Sequence, residues 1–405
     1  MPETRRRPKD RKAQIAVVSA EAFSDLGYHA VSMEDIARRV GVSAAALYRH
    51  SPSKYELFRG AVLSLSQQLV DGTEVPDASS DGGAELFTAL VSGLVDVSIR
   101  NRSTGGVYRW GGRYLTDQDR TLLGGQLELV NRRLQEPLIE LRPDLNSHQR
   151  WTLSVGVLSV IGSLVDHKTT LSAGRIQQLF AKQASAVFWA DIPDLAPSTP
   201  APPAAAQPAP GATTTGRYEA VLRASMTFFH QRGYRETTVD DIAVAVGMPA
   251  SGIYRYFPGK ADILAALFRR AADRLSGDTA EILSAEADPK VALDQLVASY
   301  VARSFDNPEI DYLYFTERTS LPSSDRIMLH NIQRANVEEW SRLLSAIHSD
   351  LTEREARFVV HAAFALVIDL GRLTQYENSE TARGVVCALM RAALLAPSHA
   401  SAPAG

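Results

Sequence analysis

Residues 23–58 read FSDLGYHAVSMEDIARRVGVSAAALYRHSPSKYELF, and residues 229–264 read FHQRGYRETTVDDIAVAVGMPASGIYRYFPGKADIL. The two stretches align without a gap at an offset of 206, pairing Gly27 with Gly233, Asp35 with Asp241, Gly41 with Gly247, Tyr48-Arg49 with Tyr254-Arg255 and Lys54 with Lys260. The same offset holds far beyond the block, where Tyr108 meets Tyr314, Asp119-Arg120 meets Asp325-Arg326 and Leu145 meets Leu351. A register kept over that distance is a duplication of a whole half, and a repeat decides architecture before any single motif does.

Each half reads as helical. Ile15, Val18, Ala22 and Leu26, then Met33, Ile36, Ala37 and Val40, recur every three or four residues, which lines up one buried helix face. No alternating strand pattern stands out. Ser32 and Thr238 precede short helices as N-caps, with Asp35 and Asp241 three residues on completing an approximate capping box. The expected fold is therefore all-α, in two similar units. Between them, residues 191–216 hold seven of the twenty prolines and no apolar period, so that stretch reads as an extended tether with roughly 60 Å of reach. The domain expectations are residues 1–55 for an N-terminal arm and a first three-helix group, 56–190 for a first larger helical domain and 191–215 for the linker. A second three-helix group at 216–261 and a second larger domain at 262–397 complete them.

The 405-residue chain carries a formal charge of −3, so any polyanion-binding role must rest on local patches. Such patches exist. Residues 1–60 hold eleven Lys/Arg against seven Asp/Glu, a net +4, and residues 216–270 hold eight against five, a net +3. Basic charge is thus concentrated on the two short-helix blocks of a net acidic chain. A single cysteine, Cys387, excludes an intrachain disulfide and a Cys-rich metal site. No stretch reads as a signal peptide or membrane span, which leads us to expect a soluble, cytoplasmic protein without metal or cofactor.

Helix, tight glycine turn, helix (MEDIARRV, GVS, AAALYRH, and its twin VDDIAVAV, GMP, ASGIYRY) has the spacing of a helix-turn-helix, although an ordinary helical hairpin shares it. Three additions favour nucleic acid. The second helix starts on small residues, Ala44, Ala45 and Ala46 or Ala250, Ser251 and Gly252, which permit close approach to a groove floor. It ends on Tyr48-Arg49-His50 or Tyr254-Arg255-Tyr256, donors suited to phosphate oxygens. Lys54 or Lys260 then stands at the next helix N-terminus, where the macrodipole already favours an anion.

With its Gly-Tyr, Asp-Ile-Ala, Gly-Val/Met-Ser/Pro and Tyr-x-x-Phe-x-x-Lys pattern, the chain resembles the tetracycline-repressor (TetR) family of bacterial transcription regulators. The resemblance implies that the first three helices of each half bind a double-stranded DNA operator. It implies phosphate contacts from Ser32, Tyr48, His50 and Lys54, and from Thr238, Tyr254, Tyr256 and Lys260. Ser43, Ala44, Ala45, Ala46 and Arg49, and Pro249, Ala250, Ser251, Gly252 and Arg255, would face base edges. One departure is plain: Ser51 stands where the second copy has the family's aromatic, Phe257, which predicts a missing anchor and a looser first unit.

The resemblance further implies a larger helical domain that binds a small apolar or amphipathic effector, whose binding moves the fourth helix and releases DNA. Tyr108, Trp110 and Tyr114, and Tyr312, Tyr314 and Phe315, are candidate pocket walls, although such aromatics are commonly core. His361, on an apolar helix face, reads as a core histidine. Family members dimerise through a helical bundle, and this chain already holds two copies. An intrachain pseudo-dimer on an asymmetric operator follows, with residues 149–167 and 356–373 as bundle helices. An alternative is an architectural or protein-binding module in which one helix-turn-helix is degenerate and serves dimerisation alone. No nucleophile–base arrangement or phosphate loop suggests an enzyme.

Overall fold

The computed structural model of the protein describes residues 8–75, 82–194 and 214–396, the side chains of 8–10, 214–215 and 311–312 excepted. The expected tether falls, from 195 to 213, outside the described residues, as do Arg5–Arg7 of the basic arm. All regular structure among the described residues is helical. The first half runs α1 (Pro8–Leu26), α2 (Met33–Val40), α3 (Ala44–His50), α4 (Lys54–Gly72), α5 (Gly83–Arg100), α6 (Gly106–Trp110), α7 (Asp117–Leu141), α8 (Ser147–Gly162) and α9 (Ala173–Phe188). The second runs α10 (Thr214–Gln231), α11 (Val239–Ala245), α12 (Ala250–Ile253), α13 (Lys260–Ala285), α14 (Pro289–Asp306), α15 (Pro308–Glu317), α16 (Ser323–Ile347), α17 (Glu353–Leu373) and α18 (Glu380–Leu394).

Seven of these helix starts repeat at the offset of 206, from Pro8/Thr214 to Ser147/Glu353. The departure lies at α6 and α15. Gly105-Gly106 and Gly111-Gly112 cut α6 to five residues, followed by a 3-10 turn over Gly111–Tyr114. Pro308, preset for the first helical position, instead starts a ten-residue α15.

In the first half Ile15, Phe23, Ile36, Leu47, Phe58 and Val62 form one buried cluster with Val107, Leu115 and Leu123. Phe229, Ile242, Ile253, Phe257, Leu264 and Phe268 do so in the second, with Leu313, Leu321 and Leu329. Helices of seven and four residues are too short to persist alone. Leu47 and Ile253, both fully buried, anchor α3 and α12, at about 1.5–3 kcal/mol for each such side chain.

The contact between α4 and α5 is built on glycine. A Cβ on Gly93 would lie 2.0 Å from the Gly72 carbonyl oxygen, and one on Gly72 would lie 2.7 Å from Val97 Cγ2. In the second half the corresponding residues are Asp278, Ser299 and Arg303. Ser299 Oγ donates to Asp278 Oδ2 at 3.0 Å and Arg303 pairs with the same carboxylate. Backbone proximity is thus replaced by a polar bridge, although burial lowers the Arg303 pKa.

The chain forms two compact units whose limits do not follow the repeat. The first comprises the described residues up to Asp191 with His361–Leu366 and the chain from Ala392, and the second comprises Ile192–Val360 and Val367–Arg391. Within the first unit the rings of His167 and His361 stack at 4.2 Å between centroids, 7° from parallel. Desolvation, with Arg102 nearby, holds His167 well below the usual histidine range and His361 down to about 4. Both rings are neutral at pH 7. Below about pH 6.5 the unfolded chain takes up protons that the folded one refuses, so this contribution is complete above pH 6.5 and is lost as pH falls towards 4. Denaturant midpoints measured from pH 7 to 4.5 are expected to fall less steeply in His361→Phe, which keeps an aromatic face but no titrating group.

Candidate nucleic-acid interface

The three-helix groups are set by their caps. Ser32 Oγ accepts from Asp35 N at 3.1 Å while Ser32 N and Oγ donate to Asp35 Oδ2 at 3.2 and 2.6 Å. Thr238 and Asp241 repeat the box at 3.1, 2.8 and 2.6 Å. These bonds hold both carboxyls below the usual range. Gly41 and Gly247, with φ of +76° and +63°, then make the left-handed turn into the next helix, which a side chain would strain.

The structure leaves Ser43, Ala45, Tyr48, Arg49 and His50 exposed along α3, with Ala44 and Ala46 half-buried. In the second half Pro249, Ser251, Tyr254 and Arg255 are exposed, and Ala250, Gly252 and Tyr256 half-buried. These residues share one side of each group because Leu47 and Ile253 turn inwards. Ser32 and Thr238 lie half-buried and exposed at the starts of α2 and α11, with their hydroxyl protons committed to the caps.

Lys54 and Lys260 are placed otherwise than a helix-terminal position suggests. Lys54 Nζ donates to the Tyr28 carbonyl at 3.1 Å and lies 4.5 Å from the centroid of the Tyr28 ring. Lys260 Nζ donates to the carbonyls of Tyr234, Arg235 and Thr237 at 2.7, 3.2 and 2.7 Å, using the three N–H bonds of an ammonium. Each lysine therefore braces the loop before α2 or α11, and a phosphate would have to exchange for one of the Lys260 bonds. Lys260→Met is expected to lower the stability of the second half by about 1 kcal/mol, since part-buried carbonyls of Tyr234 and Thr237 lose a charged donor. Thermal denaturation should report the loss, while the salt dependence of DNA binding changes little.

At Ser51 the two halves differ in where their aromatic rings lie. In the second half Phe257 stacks on Tyr218 at 5.1 Å. The corresponding first-half residues are Ser51 and Lys12, and Ser51 is buried with its hydroxyl on the Ser53 carbonyl. Phe58 supplies the ring instead, where the second half has Leu264. It meets Phe23 at 5.2 Å and Tyr28 at 4.6 Å, and Tyr114 stacks on Tyr28 at 5.4 Å.

That cluster also locates the pocket candidates. Tyr108, Tyr114 and Tyr314 pack on the clusters that hold the three-helix groups. Trp110 Nε1 donates to Asp166 Oδ1 at 2.8 Å, while Arg109 pairs with the same carboxylate in a buried setting. Tyr314 bonds Gln333 and meets Phe315 edge-on, and its hydroxyl pKa is raised by burial. The Tyr312 side chain lies outside the described residues. Sequence reasoning missed Glu317, buried at the end of α15, where the first half has Gly111. It accepts from Ser320 Oγ at 3.2 Å. Burial lowers the Lys260 pKa and raises that of Tyr234, and the Glu317 charge works against the first shift and with the second. A buried carboxylate beneath the second group thus corresponds to a glycine against Phe58 beneath the first.

Among the described residues no cluster of His, Cys, Asp or Glu could hold a metal ion, and no helix is long and apolar enough to cross a membrane. The family model described as bacterial regulatory proteins, tetR family, matches the chain twice, at residues 15–61 and 221–267. The chain is 27% identical over 159 residues to the HTH-type transcriptional activator FasR of Mycolicibacterium smegmatis, covering 38% of this chain and 71% of FasR. It is 32% identical over 139 residues to the HTH-type transcriptional repressor KstR2 of Rhodococcus jostii, covering 31% of this chain and 68% of that repressor. The solved structure of the ketosteroid transcriptional regulator KstR2 of Mycobacterium tuberculosis aligns over 45% of this chain and 95% of its own, at 21% identity and a TM-score of 0.40. Two family matches, each on a capped three-helix group with an exposed second helix, place this chain in the TetR family of transcriptional regulators, as a tandem duplication with two TetR-like halves.

Proposed function

We propose that the chain represses transcription as an intrachain pseudo-dimer, its two halves presenting non-identical recognition helices to one asymmetric operator. The observation that carries this reading is the repeat of the exposed surfaces of α3 and α12, each on its own core. It is further supported by the make-up of the first compact unit, which includes His361–Leu366 from the second copy. A small apolar or amphipathic effector would act through α6 or α15, whose aromatics adjoin the cores of the three-helix groups. A ligand preferring the released state by about 1–3 kcal/mol gives 5–150-fold derepression. The test is a genomic footprint with the mass of the bound species measured in parallel. One chain on a non-palindromic site is the expected result, and a palindrome occupied only by two chains would overturn the pseudo-dimer.

A further inference from the structure

The two reading surfaces are not built to the same standard. Helix α3 runs seven residues, with Ser43 Oγ accepting from Ala46 N at 3.1 Å and Ser51 N closing on the Leu47 carbonyl at 3.0 Å. Arg49 therefore stands on a regular helical turn. Helix α12 stops after four residues, and Pro249 at its start offers no side-chain cap. Beyond it Tyr254–Tyr256 form a turn, closed by a bond from Tyr256 N to the Ile253 carbonyl at 2.8 Å, so Arg255 lies past the helix end. Gly252 replaces Ala46 on the reading side, a change that disfavours helix.

Charge follows the same division. Residues 28–54 carry four Lys/Arg and two Asp/Glu, a net +2, whereas residues 234–260 carry three of each, a net of zero. On the helix before the turn, the largely exposed Arg38 corresponds to Val244, which is 81% exposed. The arm RRRPKDRK precedes the first group alone.

From these differences we infer that base discrimination is concentrated in the first helix-turn-helix, with Arg49 as its principal specificity determinant, while the second binds a relaxed half-site more weakly. A bidentate arginine–guanine contact discriminates only if the arginine is held in place. Arg49 stands within a seven-residue helix with a side-chain cap, whereas Arg255 stands on a turn past a four-residue helix without one, although Phe257 N closes on the Ile253 carbonyl as Ser51 N does on Leu47. The lower charge of the second group also reduces its share of the salt-dependent term. This inference rests on the proposed reading that both groups contact DNA.

The experiment is selection of the full-length chain on a randomised duplex pool, repeated with Arg49→Ala, Arg255→Ala and Gly252→Ala, with the bound mass recorded. One sharply defined half-site beside a degenerate one is expected. Arg49→Ala should blur the sharp half and weaken binding at least tenfold, and Arg255→Ala should weaken it less than threefold. Gly252→Ala, which favours helix on the second side, should sharpen the degenerate half. Two equally defined half-sites under a single chain, or a sharp half that survives Arg49→Ala and is lost with Arg255→Ala, would overturn this inference alone. Two chains on a palindrome would overturn it together with the pseudo-dimer, and no enrichment at all would remove the DNA-binding reading beneath both.

Discussion

Phe58→Ala is expected to destabilise the first half by about 3–5 kcal/mol, the range for removing a large aromatic from a packed core. The side chain is 2% exposed, meets Phe23 and Tyr28 at ring distance, and brings its Cζ to where a Cβ on Gly111 would lie 2.9 Å away. Its loss opens a cavity at the meeting point of α1, α4 and the turn after α6, and little there can collapse into it. Calorimetry should show the transition of the first half moving down while that of the second stays. Exchanging the two solutions gives a sharper check. Phe58→Leu combined with Ser51→Phe and Lys12→Tyr copies the second half's arrangement, and should be more stable than Ser51→Phe alone, which places a large ring where no tyrosine waits to receive it.

Gly93→Ala is the second large effect. Its new methyl would stand 2.0 Å from the Gly72 carbonyl oxygen, a backbone atom that cannot rotate aside, so α4 and α5 must separate. Overpacking of this kind costs about 1–3 kcal/mol, and more where backbone must shift. Because α4 begins at Lys54, next to α3, a shift of α4 as a rigid rod is expected to move the surface of α3 that we propose binds DNA. Reduced affinity for the first half-site, with the second unchanged, is therefore expected alongside a lower melting temperature. The same substitution at Ser299 should be mild in steric terms, costing mainly one hydrogen bond to Asp278, about 0.5–1.5 kcal/mol.

Local features were legible in the sequence. The capping boxes at Ser32 and Thr238, the glycine turns, the paired short helices and the register of 206 all depend on neighbours within a few residues or on simple repetition. The exposed surfaces of α3 and α12 followed from the same periodicity. The carbonyl contacts of Lys54 and Lys260 were harder to read, because a lysine at a helix start suits a phosphate as well as a carbonyl, and the latter are supplied by the path of the preceding loop. At Ser51 helical spacing reports that the position faces inwards, but not that Phe58 carries a ring where the second half has Leu264. The Gly72–Gly93 contact and buried Glu317 had no local signal at all, since both arise where helices distant in sequence cross.

The α4–α5 contact has a further consequence for how such a chain can change over generations. In a protein assembled from identical copies, a carboxylate arising at this crossing would appear in every copy at once, with no arginine ready to meet it. Here each copy is written separately in one reading frame. Either crossing, Gly72, Gly93 and Val97 or Asp278, Ser299 and Arg303, could therefore change stepwise while its counterpart stayed as it was. Duplication thus supplies an unaltered spare beside each experiment, which lets one half cross intermediates that a symmetric assembly would meet twice over.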